Sequence, residues 1–316
     1  MTAFLVTGGA GFIGSHLSDA LLRAGHRVRV LDDLSTGRRH NLASQVEFIE
    51  GDVADPAAVR DAVRGISGVF HLAAIASVAR SNEDWLGTHR ANQAGTVCVL
   101  DAARAEGRIP VVYASSAAIY GDQGDGPIRE DAAPSPQTAY GADKLGSELH
   151  ARVAASVHRV PTAGFRFFNV YGPRQDPSSP YSGVISIFAA RIAARQGITI
   201  HGDGGQVRDF VFVADVVAHL IAGMRGLAEG APRAEVFNVC TGCSTSILDL
   251  AATLAEVAGT TVPIRHGEAR LGDIRTSLGD PSRAIAGLGV RALTPLRDGL
   301  STLCGPALTQ PLPRAA

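Results

Sequence analysis

An excess of charge of either sign is missing from this chain. Its 316 residues carry 29 Lys and Arg against 30 Asp and Glu, a formal net charge of −1 with histidine neutral, and no basic run stands out. That balance gives no electrostatic footprint for nucleic acid or an anionic membrane surface, so the expected partner is a small molecule. No stretch approaches the roughly 20 apolar residues of a membrane span. The first apolar run starts at once, with no charged leader before it, and a cytoplasmic protein is expected. Cysteine is scarce: Cys98, Cys240, Cys243 and Cys304 are too few and scattered for a disulfide framework, and reduced thiols are expected. Cys240-Thr241-Gly242-Cys243 has the spacing of a metal or redox pair, but a four-thiolate zinc site needs a second pair. Its other reading is a strand, Glu235 to Val239, running into a turn. The ten histidines contain no His-Glu-x-x-His pattern, and no metal is expected.

Glycine, by contrast, is abundant at 36 residues, and the first cluster is the informative one. Thr7-Gly8-Gly9-Ala10-Gly11-Phe12-Ile13-Gly14 follows the apolar run Phe4-Leu5-Val6, as if a buried strand ended in a tight turn that opens a helix. Gly8 supplies the positive φ of such a turn, Gly11 lets a pyrophosphate approach the backbone, and Gly14 lets the helix pack on the sheet. The first helical amides then face the anion. A second apolar strand, Arg27 to Leu31, ends in Asp32, whose carboxylate can accept from both hydroxyls of an adenosine ribose. The same charge repels a 2′-phosphate and favours NAD over NADP. Arg38 and Arg39 lie close enough in sequence to serve a 2′-phosphate; a solvated loop is their other reading.

Apolar runs alternate with helical stretches: strands near 3–7, 27–32, 46–50, 68–73, 110–114 and 162–167, helices near 12–24, 56–64, 83–106 and 138–158. The rhythm predicts an α/β fold, a doubly wound parallel (Rossmann) sheet with a smaller α/β substrate-binding lobe. Residues 1–171 plus about 206–240 are assigned to the nucleotide-binding domain. The lobe takes about 172–205 and 241–304, and 305–316 is read as a disordered tail. Short strands are expected near 198–201, 210–213, 235–239 and 262–265, with helices near 184–196, 214–225 and 246–258.

Tyr140 and Lys144 lie four residues apart in a predicted helix, which puts phenol and ammonium on one face. A neighbouring positive charge lowers a tyrosine pKa from its ordinary value of about 10, toward the range where it takes a proton from an alcohol. The preceding strand, Val111 to Ser116, should end at the same carboxyl edge as the glycine turn, where open α/β sheets place ligands. A serine there can hydrogen-bond the reacting oxygen.

At these residues the chain resembles an extended short-chain dehydrogenase/reductase, and within that superfamily the 4-epimerases of UDP-glucose and UDP-N-acetylglucosamine. The resemblance runs from residue 1 to about 304. It rests on Thr7 to His16, Gly51-Asp52-Val53, His71-Leu72-Ala73-Ala74, Ser115 to Gly121, Tyr140 to Lys144, Arg166 to Pro173 and Arg208 to Val213. It implies that Asp52 and Val53 hold the adenine of NAD, and that Leu72, Ala73, Ala74, Asn92 and Phe167 line the cofactor site together with Gly8, Gly11, Phe12, Ile13, Gly14 and Asp32. Ser116, Tyr140 and Lys144 would be the catalytic group; Asn169, Arg208 and Arg270 would contact the uridine diphosphate. A homodimer through the helices near 83–106 and 138–158 is implied as well. Two positions depart from some members, which carry a lysine in place of Ala76 and an asparagine in place of Gly183.

Sugar dehydratases of the superfamily carry an acidic pair after the catalytic serine, where this chain has Ala117-Ala118, so the donor and acceptor for water removal are missing. Epimerisation needs neither. UDP-glucuronate decarboxylation, with a glutamate usual near that turn, and a non-catalytic NAD-binding sensor stay open as alternatives. Ser277 stands where epimerases confined to UDP-glucose and UDP-galactose often have tyrosine, and a smaller residue leaves space for an acetamide at C2 of the sugar. Interconversion of UDP-N-acetylglucosamine and UDP-N-acetylgalactosamine is therefore expected too.

Overall fold

The structure of the protein, a computed structural model, describes residues 2–177, 183–230, 233–269 and 274–304. Arg270 and the 305–316 tail lie outside the described residues. Apolar and β-branched residues concentrate in β1 (Ala3–Thr7), β2 (Arg27–Asp32), β3 (Glu47–Glu50), β4 (Gly68–His71), β5 (Val111–Ser116) and β6 (Thr162–Phe167). Further on come β7 (Asn169–Tyr171), β8 (Ile198–His201), β9 (Val207–Arg208), β10 (Phe210–Phe212) and β11 (Ala234–Val239). Strand pairing puts seven of them in one parallel sheet, ordered β11-β6-β5-β4-β1-β2-β3. The strand order reverses between β1 and β4, the place where doubly wound sheets open a crevice at their carboxyl edge.

Both faces of the sheet are covered, because successive side chains of a strand point to opposite sides. Val6 joins a core with Leu17 and Leu21 of α1 (Phe12–Arg23) and Val216 and Leu220 of α8 (Val213–Ala228). Leu5, one residue earlier, joins the opposite core with Val59 of α2 (Pro56–Val63), Val99 of α5 (Gly95–Ala105) and Ala151 of α6 (Ala139–Ser156). Helix α2 starts where expected, with Asp55 accepting from the Ala57 amide at 2.9 Å and Pro56 in the first turn.

The helix predicted over 83–106 runs without a gap from Trp85 to Ala105, as α4 (Trp85–His89), a π-helical turn at Arg90–Ala94, and α5. It is preceded by a short helix not expected from the sequence, α3 (Val78–Glu83), and Asp84 divides the two by ending α3 and capping α4 through the Gly87 amide. A third core unites Phe188 and Ile192 of α7 (Val184–Ala193), Ile198 and Ile200 of β8, and Leu250 and Leu254 of α9 (Ile247–Val257). Beside it, β8 pairs with β13 (Ile264–Gly267), while β9 lies between β12 (Thr245–Ser246) and β14 (Thr276–Ser277). Strand β10 pairs with β7 and not with the large sheet. Helix α10 (Ser282–Leu288) returns from the lobe region to the large sheet, where Ala284 is buried in the core that holds Phe237 and Leu220, and α11 (Leu296–Ser301) follows.

Candidate active site

A cavity of about 460 Å³ opens along the carboxyl edge of the large sheet. The turn after β1 lies in the middle of the strand order, Asp32 and Asp52 end the β2 and β3 side, and Lys144, Tyr140 and Phe167 close the β5 and β6 side. Gly8 takes φ +69° and its missing side chain is what admits the Leu72–Ala73 backbone, 2.7 Å from where a Cβ would stand. Gly11 caps α1 without any side-chain acceptor, so the amides of Phe12, Ile13 and Gly14 keep their donors for a ligand. A Cβ on Gly11 would meet only the Gly8 carbonyl, at 3.2 Å, and otherwise occupy the cavity.

Asp32 is 7% exposed. Its two carboxylate oxygens accept from the Ala10 and Leu34 amides, each at 2.9 Å, and each keeps a lone pair for a ribose. Burial raises its pKa while those amides pull it down. Asp52 pairs with Arg90 at 2.7 Å, and Val53 lines the same end. Leu72, Ala73 and Ala74 form the wall above the glycine turn. Asn92 does not line the cavity: its amide oxygen accepts from Ile75 N at 2.8 Å and its amide nitrogen donates to Ile75 O at 3.2 Å, which fixes the wall from behind.

At the other end, Thr138 caps α6 by accepting from the Gly141 amide at 3.0 Å. Tyr140 and Lys144 project from its first turns, with the Lys144 Nζ 5.8 Å from the Tyr140 ring centroid. Ser116, at the end of β5, lies close enough to the Tyr140 hydroxyl to pull its pKa down. Ser116 Oγ in turn accepts from the Ala118 amide at 3.1 Å. Tyr140 departs from the sequence expectation, because its pKa is raised: burial outweighs the downward pull of the neighbouring Ser116. The Lys144 ammonium donates to the Ala114 carbonyl at 2.9 Å instead of turning to the phenol. Burial also holds Lys144 at about 8, against a smaller upward pull from Asp143.

Sequence reasoning missed the groups that brace this end. Glu148, one turn past Lys144 on α6, accepts from Ser115 Oγ and holds Arg166 through two hydrogen bonds of 2.9 and 2.7 Å. Arg166 opens one of the motifs of the resemblance but carries no role there, and Glu148 has no sequence signal of its own. His71, at the end of β4, bridges Thr7 at 2.8 Å and Thr96 at 3.1 Å; burial takes its pKa to about 3, so the ring is neutral.

A second cavity of about 340 Å³ is lined by Asn169 and Arg208, with Arg191, Thr199 and His201 around them. Ser277 stands in β14 in register with Arg208, and its carbonyl accepts from the Asp209 amide at 2.9 Å. It is part of a short strand and lines neither of these cavities. Asp209 itself is fully buried and clamps the Thr241-Gly242 turn with bonds of 2.7 to 2.9 Å. Cys240 is therefore a buried thiol beside that turn, and Cys243 an exposed one. Among the described residues no group of three metal-ligating side chains occurs, and no helix is long and apolar enough to cross a membrane.

Strand order, glycine turn and cavity together define a dinucleotide-binding α/β enzyme. The chain belongs to the NAD-dependent epimerase/dehydratase family, whose family model matches residues 4–240. It is 39% identical over 310 residues to the UDP-glucose 4-epimerase of Mycolicibacterium smegmatis, covering 94% of this chain and 96% of that one. It is similar to the crystal structure of UDP-glucose 4-epimerase with UDP-glucose from Thermotoga maritima, at 35% identity and TM-score 0.91, covering 96% and 97% of the two chains. The same coverage holds for the UDP-N-acetylglucosamine 4-epimerase of Methanobrevibacter ruminantium in complex with UDP-N-acetylmuramic acid, at 31% identity and TM-score 0.90.

Proposed function

We propose that the protein inverts C4 of a UDP-hexose, interconverting UDP-glucose and UDP-galactose and also their N-acetylated counterparts. The observation that carries this reading is Tyr140 and Lys144 together on the first turns of α6 at the reactive end of the dinucleotide cavity, with Ser116 at the end of β5 beside them. The residues fit NAD: a capless helix start suits its diphosphate, and a carboxylate with free lone pairs suits its adenosine ribose. Held by these residues, NAD would supply the hydride acceptor and donor for C4 and a positive charge at the nicotinamide end.

The protein's residues do the rest. Tyr140 takes the proton from O4 of the sugar, with Ser116 holding that oxygen and relaying the proton. Lys144, whose ammonium is fixed on the Ala114 carbonyl, supplies the positive field that lets the buried phenol ionise and holds the nicotinamide ribose. Arg208, with Asn169, anchors the diphosphate in the second cavity; Arg270, outside the described residues, is proposed as a further diphosphate contact from the family resemblance alone. The sugar, now a 4-ketose, swings about that anchor, presents its other face, and takes the proton back from Tyr140. Ala117 and Ala118 offer no acid or base for a competing dehydration.

Two copies are proposed to pair through α5 and α6, and the protein to work in the cytoplasm. Val97 on α5 is 39% exposed, and Leu149 and Val153, one turn apart on α6, are 50% and 48% exposed. Such a stripe suits a helical interface. The test of the reading is incubation of the purified protein with UDP-galactose and chromatography of the products. UDP-glucose should form; if neither it nor any other C4 epimer forms, the reading is wrong.

A further inference from the structure

Three cations line the cofactor cavity among the described residues: Arg80, Arg90 and Lys144. Two of them are engaged within the protein. Arg90 pairs with Asp52 at 2.7 Å at the adenine end, and Lys144 donates to the Ala114 carbonyl at 2.9 Å at the reactive end. Arg80, on α3, is half-buried, and among the described residues its guanidinium has no hydrogen-bond or ion-pair partner. Asp84, one turn further, faces the same cavity but spends Oδ1 on the Gly87 amide. The backbone under Arg80 is well fixed. Ser77 accepts from the Arg80 amide at 3.0 Å, and Asn92 grips Ile75 just upstream. A long cation on an anchored base, lining a ligand cavity with no protein group at ion-pair distance among the described residues, is built to meet an anion.

We propose that the Arg80 guanidinium binds the diphosphate of NAD, as the full positive charge that complements the amides at the start of α1. Those amides carry only a partial charge, about half an elementary unit, against two on the diphosphate. No basic residue stands in the first turn of α1. The anion of this cavity is the cofactor's. The second diphosphate in the proposed reaction has its own cation, Arg208, in the cavity that Arg80 does not line. The inference rests on the family's use of NAD and not on the choice of sugar.

The test is calorimetric titration of the cofactor-stripped protein with NAD, with adenosine and with UDP, comparing wild type, Arg80→Gln and Arg80→Lys. Arg80→Gln should weaken NAD on the order of 10- to 100-fold, as for loss of a charge-assisted hydrogen bond. It should leave adenosine, which has no phosphate, and UDP within twofold. The salt dependence of NAD binding should flatten in Arg80→Gln, and Arg80→Lys should restore most of the affinity. The proposal is overturned by NAD affinity within twofold of wild type in Arg80→Gln, by an equal loss for adenosine, which would mean a distorted pocket, or by a loss confined to UDP, which would move Arg80 to the substrate.

Discussion

Replacing Lys144 by methionine should destroy turnover and yet stabilise the cofactor-stripped fold. Burial holds this lysine at about 8 against an ordinary 10.5. At 1.36 kcal/mol per pH unit, that gap corresponds to about 3 kcal/mol. The folded value lies below the unfolded one, so the unfolded chain binds the proton more tightly. The cost to the fold is therefore complete below about pH 8 and fades as pH rises toward 10.5. Methionine matches the stem in length and carries no charge, while the hydrogen bond to the Ala114 carbonyl, worth ~1 kcal/mol, is lost. The net expectation at pH 7 is a variant more stable by roughly 2 kcal/mol. Urea unfolding of both proteins at pH 7 and pH 10 reads it, since other titrating groups cancel in the difference. The advantage should shrink to about zero at pH 10. A variant less stable than wild type at pH 7, or an advantage that does not change with pH, would refute the claim that a strained ammonium is held at the reactive end.

Tyr140→Phe should keep the fold and NAD affinity but lower kcat on the order of 10²–10⁴-fold; steady-state kinetics decide, and near wild-type turnover removes Tyr140 as the proton acceptor. Asp32→Ala strips the Ala10 and Leu34 amides of their acceptor, so it should cost ~1–3 kcal/mol of stability while weakening NAD and narrowing its advantage over NADP. An unchanged ratio of the two cofactor affinities would exclude Asp32 from discrimination. Ser277→Tyr tests whether the C2 acetamide reaches β14, which lines neither cavity: if it does, the ring should suppress turnover of the N-acetylated pair while sparing UDP-glucose and UDP-galactose. Equal losses on both pairs would show that β14 is disturbed instead.

The large sheet is legible because most of its strands are apolar runs that end in a turn residue, and several of its helices open on their own start signal. Thr138 before α6 and Asp55-Pro56 before α2 are such signals. The boundary between α3 and α4 is hidden because Asp84 reads as an ordinary helical surface residue until its carboxylate is seen capping α4. Strands β9, β12 and β14 have two residues each, too few for any alternation to register. At the site, spacing places Tyr140 beside Lys144 but says nothing of burial, and burial is what raises the phenol and turns the ammonium to Ala114. Asn92, expected at the cofactor, lies behind the cavity wall, and Arg80, to which the sequence assigned nothing, lines the cavity. Only the wall formed after β4 shows that the first braces it from behind and the second faces the cavity.

The central claim is that one cavity removes a hydride from C4 and returns it to the opposite face of the same sugar. Incubating the protein with UDP-galactose deuterated at C4, without added cofactor, and examining the product by NMR tests it directly. The account predicts UDP-glucose with the deuterium still at C4. UDP-glucose whose C4 label has been lost to solvent, or no epimer at all, would contradict it.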